Sequence, residues 1–503
     1  MKEKFLVAKN IIKSFTGVQA LENVDITLNK GEVHCLVGEN GSGKSTLVKI
    51  IAGVLSADEG EVVINGHNYK KLRAIDSIRE GIQVIYQDLS LFPHLSIAEN
   101  ISLNQLVEKG RKIINWNEIK EIAEKELKKI NVKLNIEERV ENLSMANKQI
   151  VAIVRALTQD AKLIIMDEPT AALTKTEVNS LFSIILDLKR KGISALFISH
   201  KISEVLEISD RVTVLRDGKK VGEFEKKELD TENLVFYMTG KKINKTKFSY
   251  NKVNAPEKPL LEVKNLTKTV HYNNINFKLH AGEILGLTGL LGSGRTEVAL
   301  SLFGLIRPDS GEIFIDGEKK SIKSPKDAIK FGIGYLPEDR YSQGLFLHQS
   351  IGNNIIVTVI KKILNSLGFV SNSKKLREIK KWSNELKIKT SSLLAPVETL
   401  SGGNQQRVVL AKWLATSPKI FILDSPTIAI DIASKAEIHE MIRSLAEQGI
   451  GIILISDEIP EVLYNCNRIA IMKEGSIIEI VDPLNSTEDE IFNKINKKSE
   501  KIH

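Results

Sequence analysis

The sequence predicts a duplicated α/β protein, two similar domains in tandem, each built on a mainly parallel sheet covered by helices. Three observations predict it. A stretch of the first half recurs in the second, short β-branched runs alternate with amphipathic stretches in both, and each half contains an apolar run that breaks into a glycine-rich loop.

The repeat is plainest between residues 91–101 and 345–355, where Leu91, Phe92, His94, Ser96, Ile97, Asn100 and Ile101 recur at a constant offset of 254 residues. Other landmarks follow in order: Gly38 with Gly289, Ser144 with Ser401, and Asp167 with Asp424. A period that long is a duplicated domain with its own core, not a solenoid. The lysine-rich, polar stretch up to Lys258 reads as a linker. The expected organisation is therefore a first domain over 1–242, a linker over 243–258 and a second domain over 259–503. Within each domain, runs such as 32–37 and 163–166 have strand length, and 175–191 is amphipathic at helical spacing.

Composition is that of a folded chain: 42% hydrophobic and 27% charged residues over 503 positions. No run approaches the roughly 18 to 20 apolar residues of a membrane-spanning helix. The N-terminus lacks the apolar core of a secretory signal, so the expected location is the cytoplasm. Two isolated cysteines form no metal pattern, and Cys35, inside an apolar run, is expected to be a buried thiol. A net charge of +8 reads as a lysine-rich solvated surface.

Residues 38–45 (GENGSGKS) fit G-x-x-x-x-G-K-[ST] and follow the apolar run 33–37. Glycines at 38, 41 and 43 let backbone N–H groups converge on phosphate oxygens, Lys44 neutralises charge at the β and γ positions, and Ser45 can ligate Mg²⁺. Glu39, Asn40, Ser42 and Thr46 complete the predicted phosphate-contacting set, with Gly41 and Gly43. A second apolar run, 163–166, ends in Asp167 and Glu168. Asp167 can hold the Mg²⁺ shell, and Glu168 can orient or deprotonate an attacking water.

Gln87 after the run Ile85-Tyr86, the segment 143–147 (LSMAN), and His200 after Ile198-Ser199 together resemble the Q-loop, signature and H-loop of ABC transporter ATPases. The resemblance covers both halves. It implies in each half a parallel core, an antiparallel β subdomain and a helical signature subdomain. It also implies that Phe15 stacks on adenine, Gln87 contacts Mg²⁺ and water, Glu168 is the base and His200 holds the γ-phosphate. Cassettes of this family pair head to tail, so ATP lies between the phosphate loop of one and the signature of the other. Residues 94–101 and their repeat lie where such cassettes touch a permease, with a helical packing surface as the alternative.

The second copy departs at the chemical positions. Val270 stands opposite Phe15, removing the stacking platform unless His271 or Tyr272 replaces it. The second loop, with Gly289, Gly292, Ser293, Gly294, Arg295 and Thr296, has arginine for Lys44, which keeps charge but not the compact ammonium. Glu338 replaces Gln87, Ser425 replaces Glu168 and Asp457 replaces His200. A serine is no carboxylate base, and aspartate repels a γ-phosphate. The signatures differ the other way: the second, with Ser401, Gly402, Gly403, Asn404 and Gln405, is close to the family pattern, whereas the first has Met145 and Ala146. Pairing the two halves of one chain would thus give one composite site with every good part and one with every defect.

The arginine-type second loop, the LSGGNQQ string at 400–406 and the string from Pro337 to Arg340 resemble bacterial ribose, galactose and xylose importer ATPases. Most of those keep a glutamate where Ser425 stands. The resemblance implies ATP and Mg²⁺ as ligands, two copies of an integral-membrane permease, an extracytoplasmic sugar-binding protein, and a peripheral position on the cytoplasmic membrane face. No nucleic acid partner is expected. A nucleoside importer ATPase is the nearest alternative, and a soluble twin-cassette ATPase acting on ribosomes or nucleic acid a more distant one.

Overall fold

A computed structural model describes residues 3–15, 17–108, 114–170, 173–241, 247–248, 258–428 and 430–497. The chain divides into two compact units, 1–243 and 244–503. Most of the expected linker lies outside the described residues. Lys247 and Phe248 are described, and they dock on the second unit: the Lys247 ammonium donates to the carbonyls of Pro483 and Ser486, and the Phe248 N–H to that of Tyr464.

In the first unit a six-stranded sheet runs in the order Lys219–Glu225, Arg211–Arg216, Val33–Val37, Ser194–Ile198, Leu163–Asp167 and Ile82–Ile85. Its last five strands are parallel, and only the first pairs antiparallel. Parallel strands are covered on both faces, which is why Val33–Val37 and Ser194–Ile198 are buried at every position, the polar His34 and Ser194 included. A second sheet, wholly antiparallel, orders Val18–Asn29, Lys4–Phe15, Glu59–Ile64 and His67–Tyr69. The helices Ile97–Glu108, Trp116–Lys129 and Met145–Leu157 form a third layer.

The second unit repeats this plan: Ile333–Leu336, Ile420–Asp424, Gly451–Ile455, Ile284–Gly289, Arg468–Lys473 and Ser476–Val481 in one sheet, and Tyr272–Leu279, Leu261–Lys268, Ser310–Ile315 and Glu318–Lys320 in the other. Its third layer holds Ile351–Ile356, Asn372–Glu385 and Gly402–Leu414.

Two buried details explain features of the sequence. Asn100 and Asn354, the repeated asparagines, are fully buried, and each amide brackets a phenylalanine backbone: Phe92 N–H donates to Asn100 at 2.9 Å and Phe346 N–H to Asn354 at 2.8 Å. The repeat is therefore written in part by a loop-closing hydrogen bond, while Phe92 and Phe346 themselves stay exposed. Both cysteines are buried free thiols, and burial raises both thiols above their ordinary range.

Candidate active site

Parallel strands place all their C-terminal ends on one edge, the position where open α/β sheets hold ligands. In the first unit Leu36, Ile198 and Asp167 share one level across three strands. Just beyond it the chain enters the loop 38–43, Glu168 and the pair Ser199-His200. Gln87, two residues past its strand, is exposed at the same edge.

The loop needs its glycines sterically. At Gly38, with φ 155°, an added Cβ would lie 2.2 Å from the Leu215 carbonyl oxygen; at Gly43, with φ 98°, it would lie 2.6 Å from that of Ala20. Gly43 also starts the helix Lys44–Ile51, whose first turn carries no acid and whose N-terminus has no side-chain cap, leaving free N–H groups for an anion. The Lys44 ammonium is buried and donates to the Gly38 and Glu39 carbonyls, both at 2.8 Å. Burial lowers its pKa, and Glu168, Asp167 and Glu39 oppose that shift. Ser42 is buried with its hydroxyl unpartnered, while Ser45 is exposed and Thr46 half-buried beside it. Asn40 and Gly41 form the exposed crest of the loop.

Asp167 and Glu168 separate electrically. Burial, then the neighbouring Glu168 charge, raises the Asp167 carboxyl. Glu168 is held below the carboxylate range chiefly by its hydrogen bond with His200, whose Nδ1 lies 2.9 Å from Oε1. Glu168 adopts φ 48°, with its N–H donating to the Ile198 carbonyl, so the backbone turn aims the carboxylate across the strand ends. The hard oxygens of Ser45, Asp167 and Gln87 are the donor type that Mg²⁺ takes, and such an ion would offset the burial and the Glu168 charge that raise Asp167. Phe15 is 48% exposed at the end of its strand, with the Lys13 ammonium 5.8 Å from its ring centre.

One residue of this site went unread in the sequence. Arg155, on the helix that starts at the signature, donates to the carbonyls of Leu89 at 3.0 Å and Ser90 at 2.7 Å. Both acceptors have left-handed backbones, φ 58° and 45°, two and three residues after Gln87. Its place is repeated by Lys412, whose ammonium donates to the Gly344 carbonyl. In both units a cation thus ties the signature helix to the loop after the Gln87 or Glu338 strand; its position inside an amphipathic helix hid it.

The second unit keeps the loop and changes its charges. Gly289 and Gly294 repeat the steric constraints, at 2.1 Å from the Met472 carbonyl and 2.6 Å from that of His271; Gly292 faces open space, and Ser293 is buried with its hydroxyl unpartnered. Arg295 is 8% exposed, with Nη1 unpartnered. Burial lowers its pKa against the pull of Asp457, Asp424, Glu338 and Glu297. Glu297 was also unread: it puts a carboxylate into the first turn of the helix Arg295–Leu302, where the first unit has Thr46. Asp424 is 1% exposed, and burial pushes it up to about 6, with Thr296 and Tyr335 pulling it back by hydrogen bonding. Ser425 repeats the turn of Glu168, with φ 47° and its N–H on Ile455, but carries only a hydroxyl.

The aromatic position is not simply substituted. The first hairpin has strands of 12 residues each and the second of 8 each, so the tip that carries Phe15 is cut away. Val270 sits on the shortened turn, 96% exposed and at φ 73°. Tyr272 cannot replace Phe15: it is buried, and its hydroxyl donates to Ser301 at 2.6 Å. His271 is left exposed.

In the signatures, Ser144 caps its helix, accepting from the Asn147 N–H at 3.3 Å. Ser401 occupies the same position in the second unit and accepts from the Asn404 amide at 3.0 Å. Gly402 opens the helix. Gly403 has a reason inside its own unit, because an added Cβ would lie 2.5 Å from the Ser434 hydroxyl. Asn404 also receives the Lys389 N–H, and Gln405 is buried with its amide toward the Val397 carbonyl. Both are thus engaged in holding the helix start.

The family model for ABC transporters matches residues 21–171 and 272–428, one stretch in each unit. The chain belongs to the ABC transporter family. Within it, the chain is 41% identical over 492 residues to the ribose import ATP-binding protein RbsA of Caldanaerobacter subterraneus subsp. tengcongensis, covering 98% of this chain and 99% of that relative. It is 42% identical over 489 residues to the xylose import ATP-binding protein XylG of Thermoanaerobacter pseudethanolicus, covering 95% and 96%. Among solved structures, the ADP conformation of MJ1267, an ATP-binding cassette of an ABC transporter, is 30% identical and covers 48% of this chain and all of its own, with a TM-score of 0.43. Among the described residues no helix is long and apolar enough to cross a membrane.

Proposed function

We propose that the chain is the ATP-hydrolysing subunit of an ABC importer of a simple sugar, working at the cytoplasmic face of the membrane with an integral-membrane permease and a sugar-binding protein. The observation that carries this is the near full-length similarity to proteins named for ribose and xylose import. Relatives named for two pentoses match about equally, so the proposal stops at simple sugar.

In the first unit the phosphates enter the cradle of 38–46, and the Lys44 ammonium exchanges neutral carbonyls for anionic oxygens. Mg²⁺, held by Ser45, Asp167 and Gln87, would spread phosphate charge over its own coordination shell. Glu168, whose carboxylate form the His200 hydrogen bond favours, orients the water whose oxygen attacks the γ-phosphorus; the bond to the ADP oxygen breaks, and Glu168 accepts the water proton. His200 then lies beside both the base and the γ-phosphate. Phe15 stacks on adenine.

The second unit is proposed not to hydrolyse ATP: Ser425 supplies no base, Asp457 and Glu297 add repulsion, and the aromatic tip is missing. Its contribution is the signature around Ser401, Gly402 and Gly403, offered to the ATP of the first unit when the two halves of one chain pair. The sorting of good parts and defects between the halves supports that pairing. Reconstituted with its permease and binding protein, the chain should drive ATP-dependent uptake of a pentose or hexose; ATP turnover unaffected by permease and by every sugar tried would refute the importer reading.

A further inference from the structure

We infer that the turn 364–370 of the second unit is a lipid-contacting tip, inserted among the headgroups of an anionic membrane surface. Leu367 is 78% exposed, Phe369 70% and Val370 50%, three large apolar side chains within four residues. The turn is built so that they cannot fold away. The Asn365 side chain accepts from the Leu367 N–H at 3.0 Å and the Phe369 N–H at 2.9 Å, the Asn365 N–H donates to the Phe369 carbonyl at 2.8 Å, and Leu364 bridges to Val370.

The surroundings are cationic. Between positions 361 and 381 the sequence places seven lysines and arginines and a single carboxylate, Glu378. Several of these cations have neutral partners: Lys374 donates to the Leu364 carbonyl at the base of the turn, Lys375 to the Asn353 side chain and Lys362 to the Ala415 carbonyl, while Lys381 lies 4.5 Å from the Trp382 ring centre. The fold does not require this charge. The corresponding helix of the first unit, Trp116–Lys129, has four lysines balanced by four glutamates, whereas Asn372–Glu385 has five cations against two.

A narrow apolar tip in a cationic collar suits lipid better than protein. A stable protein contact needs roughly 800 Å² per partner with a complementary pocket, whereas two or three apolar side chains enter a headgroup layer without one, and clustered lysines add attraction to anionic lipid.

The test uses the full chain carrying Phe369→Trp, with vesicles of phosphatidylcholine alone or mixed with phosphatidylglycerol. The expected result is a blue shift of the new emission and its quenching by brominated acyl chains, on anionic vesicles only. Vesicle partition should fall about tenfold in 0.5 M salt, where charges are screened within a few ångströms, and similarly for Lys374→Glu with Arg377→Glu. Leu367→Ser with Phe369→Ser should stop flotation with vesicles while leaving ATP turnover of the purified chain unchanged, which controls for folding. No emission change on anionic vesicles, or equal flotation of the serine variant, overturns the inference. A tip that stays wet against vesicles but is protected by added permease assigns the turn to a protein partner, and also overturns it.

Discussion

Asp424→Asn in the second unit should stabilise the nucleotide-free protein at neutral pH. Asp424 is buried at the end of its strand, and its carboxyl is pushed up to about 6 from an ordinary 3.8, first by burial and then by Glu338, with Thr296, Tyr335 and Arg295 opposing. A raised carboxyl means that the folded state binds the proton more tightly than the unfolded chain. Its ionisation therefore costs nothing below about pH 4 and its full amount above pH 6, so stability falls as pH rises through that window. A shift of about 2 units corresponds to about 3 kcal/mol. Asparagine keeps the shape and the acceptor for the Tyr335 hydroxyl, which donates at 3.3 Å, but carries no charge. Arg295 loses a compensating neighbour, so the expected net gain is about 1 to 3 kcal/mol at pH 7.5, or several degrees in the melting of a unit this size. Calorimetric melts of both proteins from pH 4.5 to 7.5 test it: the advantage should grow between pH 4.5 and 6.5 and then level off. A variant less stable than the parent at pH 7.5, or a difference flat with pH, would mean that ionised Asp424 does not cost the fold stability.

Arg155→Met should release the strained Leu89-Ser90 turn from the signature helix; the lost charged hydrogen bonds predict about 1.5 to 3 kcal/mol of destabilisation by urea unfolding, with permease-stimulated ATP turnover falling more than basal turnover and Arg155→Lys restoring part of both. Val270→Gly should raise the urea midpoint, since a β-branched residue at φ 73° costs about 1 to 2 kcal/mol that glycine avoids, with ATP turnover unchanged. His200→Ala should move the acid limb of residual ATP turnover to higher pH, because the hydrogen bond from His200 is the main cause of the low Glu168 carboxyl; an unmoved limb would remove Glu168–His200 pairing from the account.

The parts of the fold and site written in contiguous strings were legible: the phosphate loops, the strand ends carrying Asp167 and Glu168, and the repeat itself. What depended on distance was not. Glu168 and His200 meet across 32 residues, and Arg155 reaches back more than 60 to Leu89 and Ser90. The Phe15 position shows another limit. One-to-one matching set Val270 against it, with His271 or Tyr272 as possible replacements, but it could not show that the hairpin is shortened on both strands or that Tyr272 is buried. Glu297 was visible two residues after Arg295, but its repulsion gains meaning only from its place in the first turn of a helix. Gly403 shows the converse: a glycine read for its approach to nucleotide also answers to a Ser434 contact within its own unit.

If only the first phosphate loop works catalytically, ATP turnover of Lys44→Ala and of Arg295→Ala in the assembled transporter will differ sharply. Loss of the Lys44 ammonium should lower turnover by about a hundredfold or more, while loss of the Arg295 guanidinium should leave it within about threefold of the parent. Comparable losses from the two substitutions would mean that both phosphate loops take part in turnover.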